Sequence, residues 1–336
     1  MAHRPAGAKP MMVVRAVGEM REALRPARRA GHAIGLVPTM GALHEGHLSL
    51  IARARAECDT VVVSLFVNPS QFDEHADLDR YPRREGRDRG LAELAGADLL
   101  FAPTAEEVYP DGFSTSVEVL GLTDRLEGAI RGSAHFRGVT TIVTKLLNMV
   151  APDVAYFGRK DAQQAIVIGR LVADLNMDVR IEVCPTVREP DGLAMSSRNA
   201  RLSPEERSRA LALHAALSAA EAAARKGERS ADELLRVGRD ALAPFDVELE
   251  YLALVSPDTL EPLARVDEPA LLAIAARVGA TRLIDNVTLR PARLPASDAT
   301  ARRPPDHTSQ PAPRPALRAH HPRQPTPREA QATCSA

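Results

Sequence analysis

Residues 33–50 read AIGLVPTMGALHEGHLSL, and they decide how the first half of the chain folds. The apolar run Ala33–Val37 predicts a buried strand, and residues 48–57 have the apolar spacing of a helix. A loop that contains Gly41 and Gly46 joins the two. Such a strand–loop–helix unit leaves the N–H groups of the helix start at one edge of a sheet, where they can bind an anion.

The alternation of strand and helix continues to about residue 187. Further buried strands are predicted at Met12–Val14, Val61–Phe66, Asp98–Phe101 and Val154–Phe157. Helices are predicted at Val139–Met149 and Ala162–Leu175. The alternation indicates a parallel sheet with helices on both faces, and ligands of such folds bind beyond the carboxyl ends of the strands. We therefore predict an α/β fold with a Rossmann-like domain over 12–187.

The second half of the chain has a different pattern. Ser203 followed by Pro204 and Glu206 is a helix start with a capping box, and the alanine-rich helix ends near Gly227. A helix at Ala231–Leu242 and strands at Val247–Leu254, Ala270–Ala276 and Thr281–Leu289 follow. These elements predict a smaller α+β domain over 188–290.

Composition limits the remaining possibilities. Residues 291–336 are rich in Pro, Arg, Ala, Ser and Thr, which predicts a disordered tail. The net charge of −1 gives no reason to expect a nucleic acid or a membrane surface as partner. Cys58, Cys184 and Cys334 match neither a disulfide framework nor a zinc site, and no apolar signal segment is present, so we expect a cytoplasmic protein.

His44 and His47 are candidate ligands of a phosphate group. They are three residues apart, so on the first turn of a helix they share a face. Two imidazoles there can donate hydrogen bonds to phosphate oxygens as charge develops in a displacement reaction. The alternative is a helix-capping loop with two surface histidines.

Polar residues follow two other predicted strands, Val61–Phe66 and Val154–Phe157. Asn68 and Gln71 offer amides that suit a small hydroxy acid, or they belong to an ordinary Asn-Pro turn. Lys160 can neutralise phosphate, whereas Asp161 can cap a helix or bind a ribose hydroxyl, and Gln164 lies one turn beyond Lys160. Lysine and aspartate at a helix start are also common on ordinary surfaces.

Residues 187–199 form the last candidate segment. Ser196 and Ser197 precede Arg198 on a glycine-containing loop, a combination that can hold a triphosphate. The loop lies at the predicted domain boundary, so it could close over substrate as a lid. The alternative is a plain surface loop.

Taken in order, PTMGALHEGH (38–47), GRKDAQQ (158–164) and MSSRN (195–199) resemble the pantothenate synthetase family of the HxGH nucleotidyltransferase superfamily. The resemblance covers about 12–290. Two positions depart from the family pattern, because Arg159 stands where the family has Glu and Ala162 where Tyr is usual.

The resemblance implies that pantoate attacks the α-phosphate of ATP to give pantoyl adenylate and pyrophosphate, and that β-alanine then gives pantothenate and AMP. It implies Mg²⁺ with ATP, a homodimer, and catalytic roles for His44, His47 and Lys160. ATP would contact Met40, Gly41, Ala42, Leu43, His44, Glu45, Gly46, His47, Gly158, Arg159, Lys160, Asp161, Val187, Met195, Ser196, Ser197 and Arg198. Gln71 and Gln164 would hold pantoate, and Gln71 also β-alanine. The metal ligands stay unknown; Asp88 is either a magnesium contact or a solvated helix carboxylate.

Two other functions fit parts of the sequence. A different adenylyl-transferring enzyme of the same superfamily would share the HxGH segment, but the paired glutamines favour a small polar acid as acceptor. A nucleotide-binding module without activity would explain the departures at Arg159 and Ala162, but His44, His47 and Lys160 argue against it.

Overall fold

The computed structural model describes residues 10–72, 78–79 and 81–291. Six parallel strands form one sheet in the order β1-β4-β3-β2-β5-β6. They are β1 (Met12–Val14), β2 (Ile34–Thr39), β3 (Thr60–Leu65), β4 (Leu99–Phe101), β5 (Val154–Gly158) and β6 (Arg180–Cys184). Five of these strands were predicted with bounds that agree within two residues, and the predicted α/β class with a Rossmann-like sheet is confirmed.

Helices cover both faces of this sheet. They are α1 (Val17–Arg29), α2 (Glu45–Glu57), α3 (Glu85–Ala95), α4 (Ala105–Val108), α5 (Glu127–Arg131), α6 (Ser133–Val150) and α7 (Ala162–Asp174). Alternate strand residues serve opposite faces: Leu36 joins a core with α1, α6 and α7, whereas Val37 joins a second core with α2 and α3. Burial on both faces explains the continuous apolar runs in the sequence.

The C-terminal part is a three-stranded antiparallel sheet with two helices on one face. Its elements are α8 (Pro204–Arg225), α9 (Ala231–Leu242), β7 (Glu248–Val255), β8 (Ala270–Val278) and β9 (Thr281–Leu289). The predicted capping box is present, since Glu206 N donates to Ser203 Oγ (3.2 Å) and Ser203 N to Glu206 Oε2 (2.9 Å). On the face away from α8 and α9, Leu271 and Ala273 join the core that contains α6.

The described residues belong to one compact unit. The domain limits at 187/188 and 290/291 therefore stay predictions, and all of the predicted tail except Pro291 lies outside the described residues. Within the part that the structure describes, no helix has the length and apolar character needed to cross a membrane.

Candidate active site

A cavity of about 770 Å³ opens at the carboxyl edge of the parallel sheet. Its volume lies in the usual range for small-molecule sites. The residues assigned from the sequence that line it are Met40, His44, Gly46, His47, Gln71, Gly158, Lys160, Asp161, Gln164, Val187, Met195, Ser196, Ser197 and Arg198. Those assigned residues that do not line it are Gly41, Ala42, Leu43, Glu45 and Arg159. The fold therefore brings all four polar segments of the sequence to one place.

His44 and His47 are held at the start of α2. His44 is the N-cap, and its Nδ1 accepts a hydrogen bond from Gly46 N at 3.2 Å. His47 Nδ1 accepts from His44 N at 3.4 Å, and the two ring centroids are 4.2 Å apart. Because both Nδ1 atoms accept, a neutral ring carries its proton on Nε2. The histidines therefore cap the helix and also offer Nε2–H donors, so the two interpretations of the sequence are compatible.

Both histidines are uncharged at neutral pH. Burial, followed by the charge of Lys160, lowers the pKa of His44 to about 4. The pKa of His47 is lowered to about 3, mainly by burial and next by the charge of a protonated His44. As neutral imidazoles they act as hydrogen-bond donors rather than as fixed positive charges.

The loop before α2 is fixed by a carboxylate from α3. Asp88 Oδ2 accepts from Ala42 N at 2.8 Å and Oδ1 accepts from Leu43 N at 2.9 Å. Gly41 has φ +90°, and a Cβ there would lie 3.1 Å from Asp88 Oδ2, so glycine allows the close approach. Asp88 is 1% exposed. The interpretation of Asp88 as a solvated helix carboxylate is therefore wrong, and its oxygens are engaged by the loop rather than offered to a metal.

The turn after β3 presents Gln71 to the cavity. Asn68 is buried; its Nδ2 donates to Gln71 Oε1 (3.1 Å) and to Gly138 O (3.2 Å). A Cβ at Gly138 would lie 2.3 Å from Ser70 O, so only glycine lets α6 approach this turn. Gln71 Nε2 lies 2.9 Å from Met40 Sδ, which is a weak acceptor. Asn68 thus supports the turn, and Gln71 retains an amide that can turn to a ligand.

The turn after β5 and the start of α7 carry polar side chains with different surroundings. Lys160 Nζ lies 3.5 Å from Asp161 Oδ1. Although burial raises the pKa of Asp161, Lys160 and Arg198 outweigh it and the net pKa is lowered. Gln163 and Gln164 both line the cavity, but the amide of Gln163 is buried; it accepts from Glu127 N (2.9 Å) and donates to Leu122 O (2.7 Å). The side chain of Arg159 is exposed outside the cavity lining.

Residues 187–199 form a hairpin beside the histidine loop. Arg188 and Ala194 are bridged, and Met195 N donates to Val187 O at 3.0 Å. A Cβ added to Gly46 would lie 3.8 Å from Met195 Cβ, so the hairpin packs directly on the start of α2. This contact brings Ser196, Ser197 and Arg198 to the same cavity as the two histidines.

Sequence reasoning missed several side chains that shape this cavity. Glu127 accepts two bonds from Arg282 (2.6 and 2.8 Å) and one from Tyr251 (2.7 Å), which ties α5 to the C-terminal sheet. Asp285 and Asn286 on β9 also line it. Their partners lie more than 90 residues away in the chain, so no local pattern could have indicated them.

The described residues offer no ligand set for a metal ion. In residues 10–72, 78–79 and 81–291 no group of three His, Cys, Asp or Glu side chains is arranged to hold a metal ion. Asp161 pairs with Lys160, and Asp88 is engaged by backbone N–H groups. The residues present do not form a protein cage for magnesium.

The chain is similar to one family of known proteins over most of its length. The family model for pantoate-β-alanine ligase matches residues 12–288. The chain belongs to the pantoate-β-alanine ligase family. It is 52% identical to the pantothenate synthetase of Pelotomaculum thermopropionicum over 280 residues, which are 83% of this chain and 99% of that protein.

Solved structures agree with this assignment. The pantothenate synthetase of Thermus thermophilus has a TM-score of 0.80 and 48% identity, covering 84% of this chain and 100% of that one. A pantoate-β-alanine ligase of Francisella tularensis, solved with β-γ ATP and β-alanine, has a TM-score of 0.68 and 34% identity, covering 83% and 97%. The family predicted from the sequence is confirmed, and the chain is an ATP-dependent ligase that forms pantothenate.

Proposed function

We propose that the cavity at the sheet edge carries out both steps of this ligation. Pantoate's carboxylate attacks the α-phosphorus of ATP; the bond to the bridging oxygen breaks, and pyrophosphate leaves. The amine of β-alanine then attacks the acyl carbon of the adenylate, loses a proton and expels AMP. The observation that carries the proposal is the convergence of the His44–His47 pair, Lys160 and the 195–198 segment on one cavity.

The chemistry needs positioning and charge stabilisation rather than a protein nucleophile. In this proposal Lys160 and Arg198 balance the charge of the triphosphate. The neutral His44 and His47 donate from Nε2 to oxygens that gain charge in the transition state, as their Nδ1 contacts permit. The N–H groups at the start of α2 add the favourable end of the helix dipole.

Gln71 and Gln164 are proposed to hold pantoate, and Gln71 also β-alanine. Both line the same cavity. The Met40 thioether is a poor acceptor for the Gln71 amide, so a substrate hydroxyl or carboxylate would be a better one. Gly158, Asp161, Val187 and Met195 would complete the ATP contacts. Gly41, Ala42, Leu43, Glu45 and Arg159 do not line the cavity, so their proposed contact with ATP rests on the family resemblance alone.

Three further expectations belong to the proposal. Magnesium enters bound to ATP, since Mg²⁺ commonly keeps its waters and takes substrate phosphates as ligands. The chain works as a homodimer in the cytoplasm. The 188–290 region acts as a lid, and its hairpin is the segment that closes on ATP.

The test is product formation by the full chain with ATP, magnesium, pantoate and β-alanine. We expect stoichiometric pantothenate and AMP, measured by mass spectrometry and coupled AMP assay. A panel of other carboxylic acids serves as the control. AMP formation with a different acid but not with pantoate would support another adenylyl-transferring enzyme, and ATP binding without AMP would support a module without activity.

A further inference from the structure

Asn286 on β9 holds the backbone of the segment that carries Lys160. Its Nδ2 donates to Arg159 O and to Lys160 O, both at 2.9 Å. These two carbonyls can only accept, so they fix the orientation of the amide. Asn286 is 5% exposed and lines the cavity, and within the described chain its Oδ1 is buried without a hydrogen-bond partner. A buried amide left half-satisfied is costly unless its position serves another purpose.

The neighbouring Asp285 holds the other phosphate segment. Its two oxygens accept from Arg188 at 2.6 and 3.0 Å, and its side chain is buried. Arg188 also donates to Gly192 O at 3.0 Å and lies at the base of the hairpin that carries residues 195–198. Asn286 N donates to Asp285 Oδ1 at 2.7 Å, so the two anchors are also bonded to each other.

Neither anchor needs to touch substrate in order to act. The carbonyls of Arg159 and Lys160 lie in the short 3₁₀ turn at Arg159–Asp161, between β5 and α7. Two hydrogen bonds from one rigid side chain fix the direction of that turn, and with it the point from which the Lys160 side chain leaves the backbone. A displacement of about 1 Å in a catalytic group can cost on the order of a hundredfold in rate.

We propose that Asp285 and Asn286 are positioning residues. Asn286 sets the place of Lys160, and Asp285 sets the place of the hairpin at 187–199 that carries Arg198. One dipeptide of the C-terminal sheet thereby fixes the distance between the two groups that bind the triphosphate. The inference rests on the proposed roles of Lys160 and Arg198. It assigns the C-terminal sheet a part in aligning the phosphates, in addition to covering the cavity.

A double-mutant cycle tests the assignment of Asn286. The single variants are Asn286→Ala, Lys160→Ala and Arg198→Ala, and the doubles combine Asn286→Ala with each of the other two. The readout is ATP–pyrophosphate exchange with pantoate. We expect Asn286→Ala to lower kcat about tenfold or more with the KM for pantoate nearly unchanged. In the Lys160→Ala background the same change should cost less than about twofold, and in the Arg198→Ala background it should keep its full effect.

Two controls separate positioning from stability. Thr288→Ala changes a side chain on the same strand outside the cavity lining, and it should leave kcat unchanged. Unfolding is followed for every variant, and Asn286→Ser replaces Asn286→Ala if the alanine variant does not fold. The assignment would be overturned if the fold-losses in kcat of Asn286→Ala and Lys160→Ala multiplied in the double variant. It would also be overturned if Asn286→Ala lowered the melting temperature but left kcat normal. If Lys160→Ala alone has no effect, the proposed site fails instead, which is a separate result.

Discussion

The two segments that are proposed to bind the triphosphate are built differently. The histidine loop, residues 39–47, is held within the sheet domain by the buried Asp88, which accepts two backbone N–H bonds. The hairpin, residues 187–199, is held by side chains from outside it. Arg207 of α8 bonds Glu189 and Asp191 at 2.7 Å each, and Asp285 of β9 bonds Arg188.

The difference indicates which segment can move. Buried backbone bonds to a carboxylate are costly to break, because two N–H groups would lose their acceptor. The pairs of Arg207 are partly exposed, with side-chain exposures of 28% for Arg207 and 26% and 39% for its partners, and such pairs contribute little. The histidine loop is therefore expected to be preorganised, whereas the hairpin is expected to loosen at low cost only around Glu189 and Asp191, because its base is held by the pair of Arg188 with the buried Asp285.

The largest expected effect comes from removing a donor. Lys160→Ala or His47→Ala should lower kcat by about 10²-fold or more, because each removes a group aimed at charge that develops in the transition state. Steady-state kinetics and circular dichroism measure rate and fold. The matched controls are Lys226→Ala and His32→Ala, both exposed and outside the cavity lining. Near-normal rates for both site variants would return these residues to a purely structural role.

Removing the support of the histidine loop should have the next largest effect. Asp88→Ala leaves Ala42 N and Leu43 N without their acceptor, so we expect kcat to fall about tenfold and the free energy of unfolding by about 2 kcal/mol. Asp88→Asn keeps one acceptor oxygen, so its kcat and its free energy of unfolding should lie between those of the wild type and Asp88→Ala. Urea denaturation and exchange kinetics give the two quantities. A normal kcat in Asp88→Ala would mean that the histidine loop keeps its conformation without the hydrogen bonds to Asp88.

Loosening the hairpin should have a smaller effect, mainly on ATP binding. Arg207→Ala removes the two ion pairs to Glu189 and Asp191, and we expect the KM for ATP to rise about threefold, under 1 kcal/mol, with kcat changed less. The control is Arg209→Ala. Arg209 lies on the same helix as Arg207, and its replacement breaks a pair with the exposed Asp246. A loss of kcat as large as that of Asp88→Ala would remove the distinction between the two segments.

The smallest effect at neutral pH concerns the charge state of the histidines. The pKa values of about 4 for His44 and about 3 for His47 lie below the ordinary 6.5, so between about pH 6.5 and 4 the unfolded chain binds more protons than the folded one. Stability from this source is complete above about pH 6.5 and falls as the pH falls. The wild type should therefore lose more unfolding free energy between pH 7 and pH 5 than a His44→Gln, His47→Gln variant. Equal losses would contradict the lowered pKa values.

Much of the fold was predictable because most helices and strands are specified by residues close together in the sequence. The capping box at Ser203, the apolar strand runs and the glycine loop before α2 each specify their element within a few residues. The cavity itself was predictable, since the carboxyl ends of parallel strands meet at one edge. The role of Asp88 and the involvement of Asn286 were not predictable, because their partners are 45 and 127 residues away. The start of α2 at Glu45 rather than Leu48 was missed because a histidine, an unusual N-cap, begins the helix.

The proposed adenylate pathway can be tested directly by ATP–pyrophosphate exchange without β-alanine. Purified full-length chain is mixed with ATP, magnesium, labelled pyrophosphate and pantoate, and the label in ATP is followed. The account predicts exchange that requires pantoate, proceeds without β-alanine, and is lost in the Lys160→Ala variant. An absolute requirement for β-alanine would contradict the two-step scheme.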